Sequence, residues 1–305
     1  MSLLPHRIIA LFGPTAVGKT AVAIALAEQL RGRGEDPVAV SADALQVYSG
    51  LETLTGVATA AEQAMLEHRL VSFLPIDATF SAGQYSQLAH AEVDSLLAEQ
   101  RLPIVVGGTG LYLRAALAEL DLKPPPPEGV RERWMAALER EGPAALHARL
   151  RALAPWAAEG IDSSDRQRIV RALELHDLGE LEPPDGSSQL WSTDLRHPTL
   201  LVGLTMEREQ LYRAIDARVD AMLCGGVREE VARASAAGAS ETARKALGFA
   251  ELLSGDVEAM KRRTRNYAKR QLTWMRKLPA VELLDLTDAS SEQAAGSIIE
   301  LLERR

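Results

Sequence analysis

The chain has 305 residues, of which 47% are hydrophobic and 25% charged, and its formal net charge is −8. This composition is typical of a globular protein, and the acidic balance excludes a global field that attracts nucleic acid, so any such site must be a local basic patch. A single cysteine excludes an internal disulfide. No apolar run approaches the ~20 residues of a membrane span, and we expect a cytoplasmic protein with no membrane association.

The first part of the chain alternates short apolar segments with helical patterns. Strands are predicted at 7–12, 37–41, 69–74 and 102–107, and helices at 20–31, 60–67 and 84–100. This alternation predicts an α/β fold in which a parallel sheet is flanked by helices. Ligands of such sheets bind at the carboxyl ends of the strands, so the residues that follow each strand are the first candidates for a site.

The residues after the first predicted strand match the P-loop pattern, two glycines followed by Lys19 and Thr20. Backbone N–H groups of such a loop and the start of the next helix attract phosphate, Lys19 adds a mobile positive charge, and Thr20 offers a hydroxyl to a phosphate-bound Mg²⁺. The motif predicts a P-loop NTPase-like core with a phosphate or diphosphate site, against the alternative of an ordinary glycine-rich turn. The predicted phosphate-binding residues are Gly13, Pro14, Thr15, Ala16, Val17, Gly18, Lys19 and Thr20.

Asp43 follows the second predicted strand and is the acidic residue best placed near the P-loop. P-loop enzymes usually hold Mg²⁺ with an acidic residue at the end of an apolar strand, but the strand at 102–107 runs into Gly107 and Gly108. Asp43 is therefore either a Mg²⁺ ligand or a group that accepts a proton beside the phosphate site. A cap on the helix that follows is the structural alternative.

A stiff proline run at 123–127 interrupts this alternation. Helices are predicted beyond it at 128–141, 143–153 and 164–178, followed by a loop at 182–188 and a strand at 199–204. A helical block between strands of one sheet predicts an inserted helical subdomain at 123–198, with the P-loop core formed by 1–122 and 199–305. The remaining predicted elements are helices at 207–223, 227–237 and 257–278 and a strand at 281–286.

The predicted helix at 257–278 carries a strongly basic segment. Between Lys261 and Lys277 it has eight positive charges and no acidic residue, with Tyr267 and Trp274 interleaved. Such a stripe is typical either of a solvated face on a packed helix or of a contact with a phosphate backbone. Arginines of the inserted block, especially in the segment 166–171, indicate a second basic surface, and two such surfaces in a protein with one phosphate site favour a polynucleotide ligand.

Six segments of the chain resemble, in the same order, the bacterial tRNA dimethylallyltransferases (tRNA isopentenyltransferases). They lie at 13–20, 41–48, 106–113, 165–174, 246–249 and 270–274 and extend over nearly the whole chain. The resemblance implies transfer of a dimethylallyl group from dimethylallyl diphosphate to N6 of the adenosine on the 3′ side of the anticodon in tRNA. It also implies that the P-loop holds diphosphate in place of ATP, that Mg²⁺ is the cofactor, and that a monomer binds the tRNA anticodon arm.

The resemblance also implies roles for individual residues. Asp43 matches the general base, Lys19 and Thr20 match the catalytic groups of the P-loop, and Lys245 stands where some members place an arginine near the diphosphate. Val57 replaces a lysine that the family usually has. Positions expected to contact tRNA are Asp43, Ala44, Leu45, Gln46, Thr109, Arg131, Gln167, Arg168, Ile169, Val170 and Arg171, to which the basic helix adds Lys269 and Arg270.

Two other classes of protein share part of this pattern. A nucleotide kinase-like phosphotransferase has the same loop and sheet, predicts ATP turnover, and gives the basic helix no role. An RNA-binding protein that is regulated by a nucleotide, without chemistry of its own, leaves Asp43 without a role. Incubation with tRNA and dimethylallyl diphosphate distinguishes these classes from the transferase.

Overall fold

The computed structural model describes residues 7–183 and 189–304. Within these residues six strands form one parallel sheet with the spatial order β3-β2-β4-β1-β5-β6. In chain order the strands are β1 Ile8–Phe12, β2 Pro37–Ser41, β3 His68–Arg69, β4 Leu102–Gly107, β5 Thr199–Thr205 and β6 Glu282–Asp285.

Fourteen α-helices are found in the same described residues, with short 3-10 helices at Gln189–Trp191 and Ala243–Lys245. In chain order they are α1 Lys19–Arg31, α2 Glu52–Thr55, α3 Ala60–Met65, α4 Ala82–Ala98, α5 Gly110–Leu117, α6 Val130–Glu141, α7 Pro143–Leu153, α8 Pro155–Glu159, α9 Arg166–Asp177, α10 Arg208–Cys224, α11 Val227–Ala236, α12 Phe249–Ser254, α13 Val257–Met275 and α14 Ser291–Glu303. No helix of the described residues has the length and apolar character needed to span a membrane.

The predicted α/β fold is confirmed, and β1 is one of the two central strands of the sheet. β1 pairs with β4 on one side and β5 on the other, and each of its five residues is at most 1% exposed. A strand that is covered on both faces needs a continuous apolar run, which explains the Ile-Ile-Ala-Leu-Phe sequence. Because β2 pairs with β4, and β4 with β1, the carboxyl ends of these three strands meet at one edge of the sheet.

The strand predicted at 69–74 is wrong for most of its length. Only His68 and Arg69 pair with β2. Leu70 and Ser72 have φ angles of 59° and 48°, and this left-handed conformation takes the backbone out of the extended region that a strand requires. Leu74 returns to an isolated bridge with Tyr48. The apolar residues of this segment therefore belong to a tight loop that follows β3, an edge strand of the sheet.

The chain forms two compact units, residues 1–121 with 189–305 (the sheet unit) and residues 122–188 (the helical unit). The predicted insertion began one residue later and ended at 198, but residues 189–198 belong with the sheet unit, where the Arg196 N–H donates to the Leu117 carbonyl at 2.9 Å. Residues 184–188 of the predicted loop lie outside the described residues. The helical unit has its own core, formed by α6 to α9 around residues such as Trp134, Leu146 and Leu173.

Candidate active site

The loop between β1 and α1 has the curled backbone that the sequence predicts. Ala16 and Gly18 have φ angles of 66° and 100°, so both occupy the left-handed region, and Gly18 caps the start of α1. Alternation of this kind turns successive N–H groups toward one side, and the helix dipole adds positive potential there. The loop and the first turn of α1 therefore form a cradle for an anion.

Lys19 is folded back onto this loop. Its Nζ donates to the carbonyl oxygens of Gly13 at 3.0 Å and Pro14 at 2.9 Å. Burial of the ammonium and the nearby Arg218 lower the pKa of Lys19 to about 8, while the charge of Asp43 opposes this shift. An anion that enters the cradle therefore stabilises the protonated, positively charged form of Lys19.

A cavity of about 670 Å³ opens beside the loop. It brings together candidates from five separate parts of the sequence: the P-loop, the segment after β2, the end of β4, the turn before α12, and the basic helix α13. The predicted site residues that line it are Thr15, Ala16, Gly18, Lys19, Thr20, Asp43, Ala44, Leu45, Gln46, Thr109, Lys245 and Arg270.

Three predicted P-loop residues lie behind this wall. Gly13 and Pro14 contribute the carbonyl groups that hold Lys19. The side chain of Val17 is 2% exposed and packs in the core of the sheet unit, so only its backbone is near the predicted phosphate site. Its backbone N–H points to the Pro14 carbonyl at 3.4 Å, within the turn itself. Val17 therefore stabilises the loop from beneath and presents no side chain to a ligand.

Asp43 lies on the cavity wall with Lys19 and Thr20. Its Oδ1 accepts a hydrogen bond from the Leu45 N–H at 3.0 Å. The next helix, α2, begins only at Glu52, so the alternative of a helix cap is wrong. A carboxylate beside the phosphate cradle can accept a proton or ligate a metal ion, and both of these alternatives fit its position.

The neighbouring Gln46 has a structural task. Its Oε1 accepts from the Ser41 hydroxyl at 2.8 Å, and its Nε2 donates to the Gly56 carbonyl at 3.0 Å. These bonds tie the end of β2 to the loop that follows α2. Leu45 packs against a second apolar cluster, so its side chain is also partly committed to the fold.

Arg218 is a site residue that the sequence did not reveal. It projects from α10 into the cavity wall, and its guanidinium lies directly against Gly56, next to the position where Val57 replaces the family lysine. Burial lowers the pKa of Arg218, and the charge of Asp43 counteracts this. The available signal is its spacing, because an arginine at helical intervals from Ile215 and Met222 stands on an otherwise apolar stripe.

Tyr267 of α13 is a second addition to the site. Its hydroxyl lies 3.1 Å from the Thr109 hydroxyl at the end of β4, and it lines the same cavity. Burial, reinforced by the charge of Asp43, raises the pKa of Tyr267 to about 12. Tyr267 therefore stays neutral at physiological pH and holds Thr109 in place at the cavity.

The basic surface of α13 is narrower than the sequence indicates. α13 ends at Met275 and contains six of the eight basic residues, of which three make ion pairs within the sheet unit: Lys261 with Asp220, Arg263 with Glu251, and Arg265 with Asp216. Lys269 and Arg270, the two predicted RNA contacts, are both exposed. The Arg270 guanidinium lies 5.5 Å from the centre of the Tyr267 ring, at the mouth of the cavity.

In the helical unit, Arg131 and Arg171 share one buried carboxylate. Glu174 is 0% exposed and accepts from Arg131 Nε at 2.8 Å and Arg171 Nη1 at 3.2 Å. Arg171 also donates to the carbonyl groups of Lys123 and Pro124, at 2.9 and 2.7 Å. Both arginines therefore hold this unit together, and Arg171 fixes the proline run to α9.

The remaining predicted contacts of this unit separate into two groups. Gln167 and Arg168 are exposed on α9, and Arg168 forms a long surface ion pair of 3.5 Å with Asp165. Ile169 and Val170 are a correction, because they are 0% and 3% exposed and pack in the core of the helical unit. Helical periodicity turns these two side chains inward, so they cannot contact RNA.

A P-loop sequence at the carboxyl edge of a parallel sheet, with a carboxylate on the wall of the same cavity, defines a protein with a P-loop-type fold. The chain belongs to the IPP transferase family, since the model of that family matches residues 46–278.

Known relatives agree with this assignment. A tRNA dimethylallyltransferase of Kineococcus radiotolerans is 40% identical over 97% of this chain and 96% of its own length. That of Thermobifida fusca is 38% identical, over 91% and 89% respectively. The solved tRNA isopentenylpyrophosphate transferase of Bacillus halodurans is 31% identical and superposes with a TM-score of 0.69, covering 98% of this chain and 97% of its own. A eukaryotic dimethylallyltransferase shares the fold at 22% identity and a TM-score of 0.74, over 98% and 80%.

Proposed function

We propose that this enzyme transfers a dimethylallyl group from dimethylallyl diphosphate to N6 of the adenosine on the 3′ side of the anticodon in tRNA. One observation carries the proposal: the phosphate cradle with Lys19 and the Asp43 carboxylate line the same cavity. The first group suits a departing diphosphate and the second suits an amine that must lose a proton. The relatives that carry the name of this activity match nearly the whole chain.

In the reaction, the bond between the allylic carbon and the diphosphate oxygen breaks while the N6–carbon bond forms. Negative charge grows on the departing diphosphate, and the P-loop N–H groups, the Lys19 ammonium and Arg218 stabilise that charge. Lys19 releases the Gly13 and Pro14 carbonyls and turns toward the anion. The P-loop thus binds the leaving group, and no phosphoryl group is transferred.

Asp43 accepts the proton that N6 loses as it attacks. The adenine amine is a weak nucleophile, so removing this proton during bond formation lowers the barrier. The adenosine must leave its stack to reach the cavity, as in other enzymes that modify a base. Thr109, Tyr267 and Arg270, which lie together at the wall, are suited to contact the inserted nucleotide.

Mg²⁺ is the cofactor that we propose. The described residues contain no cluster of three or more His, Cys, Asp or Glu side chains that could hold a metal ion by themselves. Mg²⁺ commonly binds through one or two protein oxygens together with substrate phosphates, and Thr20 and Asp43 offer hard oxygen atoms on the cavity wall. These residues fit an ion that arrives with the diphosphate, and the ion would neutralise part of its charge.

The exposed Lys269 and Arg270 of the sheet unit, with Gln167 and Arg168 of the helical unit, are the RNA contacts that we propose for the anticodon arm. Such contacts bind phosphates and shape, whereas the cavity selects the base. We propose that the enzyme acts as a monomer. A cytoplasmic location follows from the proposed substrate.

The decisive experiment is incubation with unmodified tRNA, Mg²⁺ and dimethylallyl diphosphate, followed by digestion and mass spectrometry of the nucleosides. We expect one prenylated adenosine per tRNA, and no product from a tRNA with guanosine at the target position. ATP should not be consumed. Stoichiometric ATP hydrolysis, or absence of prenylated adenosine, would favour the kinase-like phosphotransferase instead.

A further inference from the structure

Gln271 of α13 connects three parts of the site that are far apart in the sequence. It is 4% exposed. Its Oε1 accepts from the Thr15 N–H of the P-loop at 2.8 Å, over a separation of 256 residues. Its Nε2 donates to the Gly108 carbonyl, just beyond β4, also at 2.8 Å. One side-chain amide therefore joins the basic helix, the phosphate loop and the end of β4.

The chemistry of these two bonds requires an amide. The Thr15 N–H is a donor and needs an acceptor, while the Gly108 carbonyl is an acceptor and needs a donor, and a neutral carboxamide supplies both from adjacent atoms. The amide also approaches Gly108 closely, because a β-carbon there would lie 2.2 Å from Nε2. A charged carboxylate in this place would oppose the Gly108 carbonyl and add negative charge beside the phosphate cradle.

The bond to Thr15 has a consequence for the loop. The Thr15 N–H donates to Gln271, and Gln271 in turn donates to the Gly108 carbonyl at the end of β4. The Thr15 backbone is therefore held at a fixed distance from β4. Thr15 stands directly before Ala16, whose φ of 66° is unfavourable for an alanine and needs support from its surroundings. Gln271 gives that support at the point where the backbone begins to curl.

We propose that Gln271 is a positioning residue that keeps the phosphate loop in its binding conformation before the ligand arrives. It acts through the loop, by fixing Thr15 against Gly108, so that the N–H groups of the loop face the diphosphate without rearrangement of the backbone. This inference rests on the proposed function, because it takes diphosphate as the group that the loop binds. Preorganised donors bind an anion more tightly because less order has to be created on binding.

The test is the affinity for inorganic diphosphate with Mg²⁺, measured by titration calorimetry on the full chain. Gln271→Leu keeps the volume and removes both hydrogen bonds, and we expect Kd to rise about tenfold, from two bonds of ordinary strength. Met275→Ala is the matched control. Met275 lies on the same helix, is 2% exposed, and packs close to Gly203 of β5, so its loss should lower the melting temperature but leave Kd unchanged.

Gln271→Glu provides a second, independent measurement. A protonated carboxyl group has the same acceptor and donor pattern as the amide, whereas a carboxylate lacks the donor. The ratio of the variant Kd to the wild-type Kd should therefore be large at pH 8 and fall several-fold by pH 6, because burial favours the neutral carboxyl group. Lys19, Arg218, Asp43 and Tyr267, the ionisable groups nearest the site, are present in both proteins, so the ratio removes their own titration.

The possible results distinguish failure of the positioning role of Gln271 from failure of the proposed donor. The positioning role is wrong if wild type binds diphosphate and Gln271→Leu binds it equally well. It is also wrong if Kd rises no more in Gln271→Leu than in Met275→Ala. A Gln271→Glu ratio that stays near one at both pH values also overturns it. If wild type itself does not bind diphosphate, the proposed donor is wrong and this inference fails with it.

Discussion

Lys19 of the sheet unit and the arginines Arg131 and Arg171 of the helical unit are held in opposite ways. In the sheet unit, Lys19 is held by two backbone carbonyls, which are neutral and easily exchanged for an anion. In the helical unit, Arg131 and Arg171 share Glu174, a carboxylate that is 0% exposed. A buried carboxylate cannot be left without its partners except at a large cost. A basic residue is therefore available to a ligand only when the group that it contacts in the unliganded protein can be left without it at little cost.

The same distinction applies within α13. Lys261, Arg263 and Arg265 have carboxylate partners in the sheet unit, while Lys269 and Arg270 are exposed and lie near aromatic rings. An aromatic ring attracts a cation without neutralising it. The part of α13 that is suited to RNA phosphates is therefore in its C-terminal half, where Arg270 lines the cavity.

The largest expected effect belongs to Asp43. Asp43→Asn should lower turnover by about 10² to 10⁴-fold, which is the usual contribution of a general base, while the affinity for tRNA changes little. Steady-state rates at saturating tRNA, with tRNA affinity measured separately, check this expectation. Asp36→Asn is the control, because Asp36 is a surface carboxylate that pairs with Arg101.

Wild-type turnover in Asp43→Asn would remove Asp43 from the chemistry. If instead the variant needs far more Mg²⁺ to reach normal turnover, Asp43 is a metal ligand.

Substitution of Lys19 tests the cation of the sheet unit that two neutral carbonyls hold. Lys19→Ala should reduce kcat/KM for dimethylallyl diphosphate by about 10²-fold, because a donor aimed at the departing charge is lost. The ammonium is the binding form, and its pKa of about 8 means that it is present below pH 8 and lost above. In wild type, kcat/KM for the donor should therefore fall as pH rises through about 8.

Lys19→Arg keeps the charge at high pH and should remove this alkaline fall, even if the new side chain fits less well. A wild-type profile that is flat from pH 7 to 9, or one that falls equally in both proteins, would contradict the assignment.

Glu174 tests the tightly held cations of the helical unit. Glu174→Gln should lower the free energy of unfolding by about 2 to 3 kcal/mol. This loss is smaller than that on breaking a fully buried ion pair, because Arg131 is half exposed. Denaturant titration measures this change. Turnover at saturating tRNA should decrease less than it does for Asp43→Asn. An unchanged midpoint would show that Arg131 and Arg171 do not depend on this carboxylate.

The smallest expected effects concern salt dependence. Removing one phosphate contact should reduce the slope of log affinity for tRNA against log salt by ~0.7 to 0.9. Arg168→Ala and Lys269→Ala should do so, because both side chains are exposed. Arg171→Ala should change the slope less and lower stability more, since Arg171 is bound to Glu174 and to the proline run. The measurement is a tRNA titration at several salt concentrations.

Identical slopes for wild type and Arg168→Ala would remove Arg168 from the RNA surface. A full slope change in Arg171→Ala would show that RNA can displace Glu174, and the difference between the two units would disappear.

The sequence by itself determined the sheet, the P-loop and the location of the site. These depend on local patterns: an apolar run of five residues makes a buried strand, the spacing of glycine and lysine makes an anion cradle, and parallel strands bring Asp43 to the same edge. The family resemblance rests on the same short segments. The predicted strand at 69–74 failed because positive φ angles at Leu70 and Ser72, which composition does not reveal, end it after two residues.

Only the tertiary structure decided which polar residues are free for a ligand and which hold the fold. Glu174 binds Arg131 across two helices, Gln271 reaches Thr15 over 256 residues, and Arg218 enters the cavity wall from an otherwise apolar helix stripe. Neither the Glu174–Arg131 pair nor the Gln271–Thr15 pair has a local signature, because hydrogen bonds and ion pairs depend on distances of about 3 Å that packing alone sets. A sequence shows the type and the order of its charged groups, but their partners are chosen when the chain folds.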